Sequence, residues 1–336
     1  MNKLTQMALS LYFAACMPIT MMACTSCSND NNEDMEQSIN LQNSTASTEG
    51  NGDRTFSVGG VDFKMVFVRH GTFTMGSSDT SVQFSESPAH QVTLTKDFLI
   101  GETEVTEALW NAVMGSSGGS ATLPKTSVTW TQAHNFIDRL NEIARSQGLI
   151  SDNESFRLPT EAQWEFAAKG GNKSQGYLYS GSNNINDVAV TRENSGSDAP
   201  IHVKSKQPNE LGIYDMSGNA YEWVDDRGAA YSSEAQTDPQ QTTGSGYVKR
   251  GGSNYHRFSS EPYLFTTTGR YFYSSTDWTI GFRIALEIDS SATALASIQA
   301  DRNGKETIYD LQGNRLMAMN KSGFYIVNGK KVFKKL

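Results

Sequence analysis

The chain has 336 residues, 37% of them apolar and 29 of them glycine, so a sizeable core is within reach and the chain is not disordered overall. Its formal charge of −8 excludes a nucleic-acid or anionic-membrane partner recognised by bulk charge. No internal stretch approaches the roughly 20 apolar residues of a membrane span. The three cysteines stand at 16, 24 and 27, so from Ser28 onward there is no disulfide, thiolate metal site or cysteine nucleophile.

In chain order, Lys3 precedes an apolar run from Met7 to Met22, which reads as an export signal and not as a structural helix. The run ends Met21-Met22-Ala23-Cys24, similar to a lipoprotein signal in which Cys24, or else Cys27, carries the lipid. The expected location is the outer membrane or cell surface. Ordinary cleavage after Ala23 would instead leave a secreted or periplasmic protein. Residues 24–55 are dominated by Asn, Ser, Thr, Glu and Gly and read as a polar linker.

Within the body, alternating Phe63, Met65 and Phe67 predict strands ending at Gly71 and Gly76, and Gln91–Thr95 predicts another. Glu104–Met114 and Thr131–Arg145 read as amphipathic helices. A third helix starts at Thr160, where Gln163 completes a capping box, and stops at Gly170. Residues 172–283 show no long helical period, so loops, side chains or bound ions must satisfy the backbone there. Asp215-Met-Ser-Gly218-Asn-Ala220-Tyr-Glu222 combines carboxylates with a permissive glycine, as a loop for a hard cation would, or equally a tight turn with a solvated carboxylate.

Eight ordered motifs then coincide. They are Phe73-Thr-Met-Gly76, Pro88-Ala-His90-Gln-Val92, Glu104-Val-Thr-Glu-Ala-Leu-Trp110, Val128-Thr-Trp130, Phe156–Phe166, Gly212–Trp223, Arg250-Gly-Gly-Ser253 and Gly281-Phe-Arg283. Their order and spacing resemble the formylglycine-generating enzyme, or sulfatase-modifying-factor, family over about residues 61 to 287. The resemblance implies one loop-rich α+β domain, a C-type-lectin-like variant with few short helices and small antiparallel sheets, placed at 56–287. It implies structural calcium at Asp215, Gly218, Ala220 and Glu222. A second, poorly matched site falls at Asn194 and Ser195, with Asp198 nearby.

The family's oxidases hold copper on two cysteines just after the Arg-Gly-Gly-Ser motif. Counted forward, those positions fall at His256 and Glu261, and no soft Cu(I) site can form without thiolates. The former active-site region would comprise Ser253, His256, Glu261 and Arg270, with Trp223 lining the same groove and no catalytic residue assigned. His90 and His134 read as structural. Tyr255, Tyr263, Tyr271, Tyr273 and Trp278 crowd this region, either filling the core or forming a peptide- or sugar-binding surface.

Residues 288–336 begin with a small polar linker and continue as strands, with Asn328-Gly329 a hairpin signal. This segment resembles the β tails of proteins exported by the type IX route. The sequence therefore points to an envelope-anchored, non-oxidase binding or assembly module for a protein, peptide or glycan, with calcium and without copper. The alternative is an oxidoreductase of the formylglycine-generating enzyme family, or a metal-dependent protein-modifying enzyme, with substituted ligands.

Overall fold

The computed structural model describes residues 44–79, 84–288, 308–309, 315–316, 322–327 and 330–334. The leader, both candidate lipid cysteines and the linker after residue 288 lie outside the described residues. Among these residues no helix is long and apolar enough to cross a membrane.

Ordered structure begins earlier than the polar composition suggests. Thr45–Thr48 forms β1, exposed along its length, and pairs antiparallel with β2 (Arg54–Val58). The stretch expected to be linker up to residue 55 therefore contributes an edge strand, because a ladder of backbone hydrogen bonds needs no apolar side chain on its outer row. β2 turns at Gly59-Gly60 into β3 (Val61–Val68). Gly71 opens β4 (Gly71–Met75) instead of ending a strand, and Gly76, at φ +79°, does end one. β5 (His90–Leu94) pairs with β4, and β6 (Phe98–Gly101) with β3.

The helices follow their caps. Helix α1 spans Glu107–Met114, starting three residues later than Glu104 because the Thr106 side chain accepts from the Leu109 N–H. Helix α2 (Trp130–Ser146) opens on a Thr129–Gln132 capping box, and α3 (Glu161–Ala168) on the expected Thr160–Gln163 box. Between them lies β7 (Ser155–Arg157). After α3 the α-helices among the described residues are two of four residues each, α4 (Ile185–Val188) and α5 (Arg192–Ser195).

The remaining strands of the domain are β8 (Tyr221–Arg227), β9 (Gln236–Thr237), β10 (Tyr247–Arg250), β11 (Arg270–Tyr273), β12 (Ile280–Phe282) and β13 (Ala285–Glu287). One sheet runs β1-β2-β3-β6-β13-β7, so the last strand of the domain inserts between β6 and β7. A second sheet runs β11-β10-β8-β12, and β9 extends β4-β5 into a third. The largest core packs α1 and α2 on the first sheet around Phe56, Phe136, Phe156, Trp223 and Phe282. Further along, β14 (Ile308–Tyr309), β15 (Arg315–Leu316), β16 (Gly323–Val327) and β17 (Lys330–Lys334) form a separate sheet. Val327 pairs with Lys330 there, as a hairpin at Asn328-Gly329 requires, although those two residues lie outside the described set.

Candidate functional site

The second sheet positions the site, and its pleat sorts the residues. Lys249 stands opposite Trp223 and Tyr271, while Arg250 stands opposite Glu222 and Arg270. Because side chains alternate along a strand, Tyr221, Trp223, Lys249, Tyr271 and Tyr273 share one face, and Glu222, Arg250, Arg270 and Phe272 the other.

The second face is a buried ion network. Arg270 grips Glu161 in bidentate fashion, Nε to Oε1 at 2.6 Å and Nη2 to Oε2 at 2.7 Å, and donates from Nη1 to the Ser85 and Ala229 carbonyls. Arg250 pairs with Glu165 and donates to the Gly269 carbonyl at 2.7 Å. Arg270 therefore does not line the groove with His256. One residue of register turns it to the opposite side of β11 from Tyr271. Trp223 does not line it either: it is buried in the main core, and its indole N–H donates to the Val128 carbonyl at 2.7 Å.

On the first face the structure does bring His256 and Glu261 together, with His256 Nδ1 3.0 Å from Glu261 Oε2. The His256 ring packs edge-on to Tyr221 and Tyr255, with centroids 5.6 and 5.5 Å away. Tyr255 in turn meets Trp278 at 5.2 Å, and each is 44% exposed. Ser253 is buried nearby in sequence, its Oγ without a hydrogen-bond partner, as is the Tyr271 hydroxyl. The aromatic residues thus divide: Tyr263, Tyr271 and Tyr273 are half-buried packing, while Tyr255 and Trp278 form an open edge.

Sequence reasoning missed Lys249. Its ammonium sits 3.9 Å from the Tyr221 ring centroid and 4.6 Å from that of Tyr273, with the Asp277 carboxylate 3.8 Å away. Burial lowers its pKa, and Asp277 works against that shift. The available signal was a lone lysine inside the strand pattern Tyr247-Val-Lys-Arg250.

The loop Asp215–Glu222 is strained in the way a ligand loop can be. Asp215 and Asn219 adopt φ of 59° and 60°, and Gly218 has φ +89°. A Cβ on Gly218 would stand 2.2 Å from the Val190 carbonyl oxygen, so only glycine fits there. Asp215 accepts the Lys204 N–H on Oδ2 at 2.8 Å, and its buried Oδ1 has no partner. Burial pushes its pKa up to about 6. Glu104, also missed because Glu104-Val-Thr106 read as a helix start, lies against this loop, taking the Asn219 amide N–H on Oε1 at 3.1 Å. Burial, then the neighbouring Asp215 and Glu222, raise its pKa well above the ordinary carboxyl value, and its Oε2 is likewise unpartnered.

Two buried oxygens without donors fit a cation better than they fit a solvated turn. Among the described residues no three His, Cys, Asp or Glu side chains converge on one point. A cation here would therefore add backbone carbonyls to carboxylates, as calcium accepts. Asn194 and Ser195 do not fit one. The Asn194 side chain caps α5 at the Thr191 N–H and donates to Asn186 and Ala189. The Ser195 hydroxyl donates to Ser197 and Asn254, and Asp198 pairs with Arg192. His90 opens β5 and His134 lies 3.0 Å from Asp225, both in structural surroundings.

Comparisons with known proteins agree with this architecture. The chaperone protein LppX of Paenibacillus barcinonensis is 34% identical over 204 residues, 47% of this chain and 70% of that protein. The formylglycine-generating enzyme of Streptomyces coelicolor is 32% identical over 155 residues, 42% of this chain and 49% of the enzyme, so the chain spans about half of that relative. Among solved structures, Treponema denticola variable protein 1 superposes with a TM-score of 0.60 at 30% identity, covering 70% of this chain and 99% of that one. The model of the sulfatase-modifying factor enzyme 1-like domain matches residues 61–288, and the chain belongs to that family.

Proposed function

We propose that this chain is an exported, lipid-anchored binding or assembly module of the family, without the copper oxidase activity. The observation that carries the reading is the His256–Glu261 pair, 3.0 Å apart where the resemblance places two copper cysteines. Imidazole and carboxylate favour harder metals than Cu(I), and the body holds no cysteine to replace them. Beside the pair, the open Tyr255–Trp278 edge offers flat, amphipathic surface of the sort that holds a polypeptide. A relative described as a chaperone supports a role in holding another protein. The lipid would be attached at Cys24 or Cys27, which leaves the C-terminal β segment redundant as an export address.

Calcium is proposed at the Asp215 loop, where Asp215, the Gly218 and Ala220 carbonyls and a further carboxylate would hold it. Its chemistry there is structural, joining loops that little regular secondary structure supports. Nothing in the side-chain bonding of Asn194 and Ser195 recommends a second ion.

The test measures metal content, oxygen uptake and client protection on one preparation purified without chelator. Calcium without copper, no oxygen uptake with a cysteine-containing peptide, and suppressed aggregation of an unfolded model protein are expected. Stoichiometric copper together with oxygen uptake would overturn the reading in favour of an oxidase.

A further inference from the structure

The resemblance assigns Glu222 as the carboxylate partner of Asp215 in the calcium loop, but both Glu222 oxygens already accept hydrogen bonds. Its Oε1 accepts from Arg283 Nη2 at 2.5 Å, and its Oε2 accepts from Arg283 Nε at 2.6 Å and from the Trp164 indole N–H at 2.7 Å. All three residues are buried. Turning Glu222 towards a cation would strip a guanidinium of its counter-charge inside the protein, which is costly.

Glu104 is placed differently. It follows β6 on the approach to α1, is 1% exposed, and has one oxygen fixed by the Asn219 amide while Oε2 has no donor at all. Asp215, 3% exposed, repeats the pattern, with Oδ2 held by the Lys204 N–H and Oδ1 unpartnered. Asn219, whose amide holds Glu104, lies in the Asp215 loop itself. A buried carboxylate with one oxygen oriented and the other left without a donor is arranged as an oriented metal ligand would be. Charge makes the same point. Glu104, Asp215 and Glu222 are three buried carboxylates around the single guanidinium of Arg283, leaving an excess of two negative charges that one divalent cation neutralises.

We infer that Glu104, and not Glu222, supplies the second carboxylate of the cation site, pairing with Asp215 to hold a hard divalent ion of calcium's class. Glu222 is then a positioning residue that fixes Arg283 and Trp164. This inference rests on the calcium reading above.

The experiment titrates calcium chloride into the full chain, and into Glu104→Gln and Glu222→Gln, by calorimetry, and records thermal melts with calcium and with EDTA. In Glu104→Gln the Oε1 that Asn219 holds remains while the charge is lost. Calcium affinity should fall at least about tenfold, the scale at which even outer-shell partners of a metal site matter. Its EDTA melt should be no lower than that of the unsubstituted chain, since a neutral amide replaces an unpaired buried charge. Glu222→Gln should lower both melts and weaken calcium less than Glu104→Gln does, since it removes a charge from the cluster but no ligand. Should Glu104→Gln not fold, Glu104→Asp retains the charge but retracts it by one methylene and should weaken calcium in the same way. Unchanged affinity in the Glu104 variants, or a larger loss in Glu222→Gln than in them, overturns the inference and leaves the calcium reading standing. No calcium uptake by the unsubstituted chain overturns both.

Discussion

Arg270 and Glu161 form a fully buried, two-point ion pair, and it ties β11 to the first turn of α3. The guanidinium is planar and its two N–H donors match the two carboxylate oxygens, so neither partner has a substitute of equal geometry. Replacing Arg270 by Met should cost on the order of 3 kcal/mol, because the buried Glu161 would lose its two-point partner and keep only the more distant Arg250 guanidinium, 3.3 Å away. Chemical denaturation checks this. A loss below about 1 kcal/mol would mean that the pair is not what joins the two elements. Arg270→Lys should recover only part of the loss, since one ammonium cannot reproduce the fork.

The His256–Glu261 contact makes a second prediction. If these positions are where a copper-binding relative has its thiolates, His256→Cys combined with Glu261→Cys restores soft ligands to two positions whose longer native side chains meet. The doubly substituted chain should capture Cu(I) in competition with a chromophoric chelator, and the unsubstituted chain should not. Equal copper retention by both would show that the positional correspondence is misplaced. Oxidation of the doubly substituted chain to a disulfide would be an independent sign of the same proximity.

Much of this was readable before the structure, and what was not has definable causes. The Thr160–Gln163 capping box and the helix stop at Gly170 are local chemistry, and they appear as expected. The start of α1 was misplaced because Val105 continues the apolar spacing of the helix, while the Thr106 cap overrides it. His256 and Glu261 meet within one short segment, so counting from a motif sufficed. Arg270 was assigned to the wrong surroundings because facing depends on the register of β10 against β11, which is set by tertiary pairing, whereas Trp223 is on the groove's own face but buried in the main core against Val128. Glu104 was missed for a similar reason: its partner Asn219 is 115 positions away in sequence.

The open aromatic edge should separate binding from stability. Tyr255 and Trp278 are each 44% exposed, so Tyr255→Ala and Trp278→Ala should change the unfolding free energy by no more than about 1 kcal/mol. Both should nonetheless weaken protection of an aggregating polypeptide, measured by light scattering at equal protein concentration. Tyr221→Ala provides the contrast. That ring is buried beneath Lys249 and against His256, and its removal should cost about 3–5 kcal/mol through the cavity it leaves. Undiminished protection in both edge variants would remove Tyr255 and Trp278 from the binding surface.

Asp226 should make the fold respond to pH. Its Oδ2 accepts the Glu161 N–H at the start of α3 and its Oδ1 the Gln241 N–H, each at 2.7 Å. Burial, followed by the neighbouring Glu161 charge, nevertheless pushes its pKa up from an ordinary 3.8 to about 7. A carboxyl that titrates higher in the folded chain than in the unfolded one favours the fold while protonated. Its contribution is complete below about pH 3.8 and is lost as the pH rises through about 7. Between pH 5.5 and 8 the chain should therefore lose on the order of 1–3 kcal/mol at this site. Asp226→Asn removes the titration, so the difference in denaturation free energy between those two pH values should shrink. That holds even where absolute stability drops, since an amide nitrogen cannot accept the second backbone N–H. A pH dependence identical in the two chains would show that the Asp226 carboxylate stays ionised in the fold, held by its two backbone donors against the effect of burial.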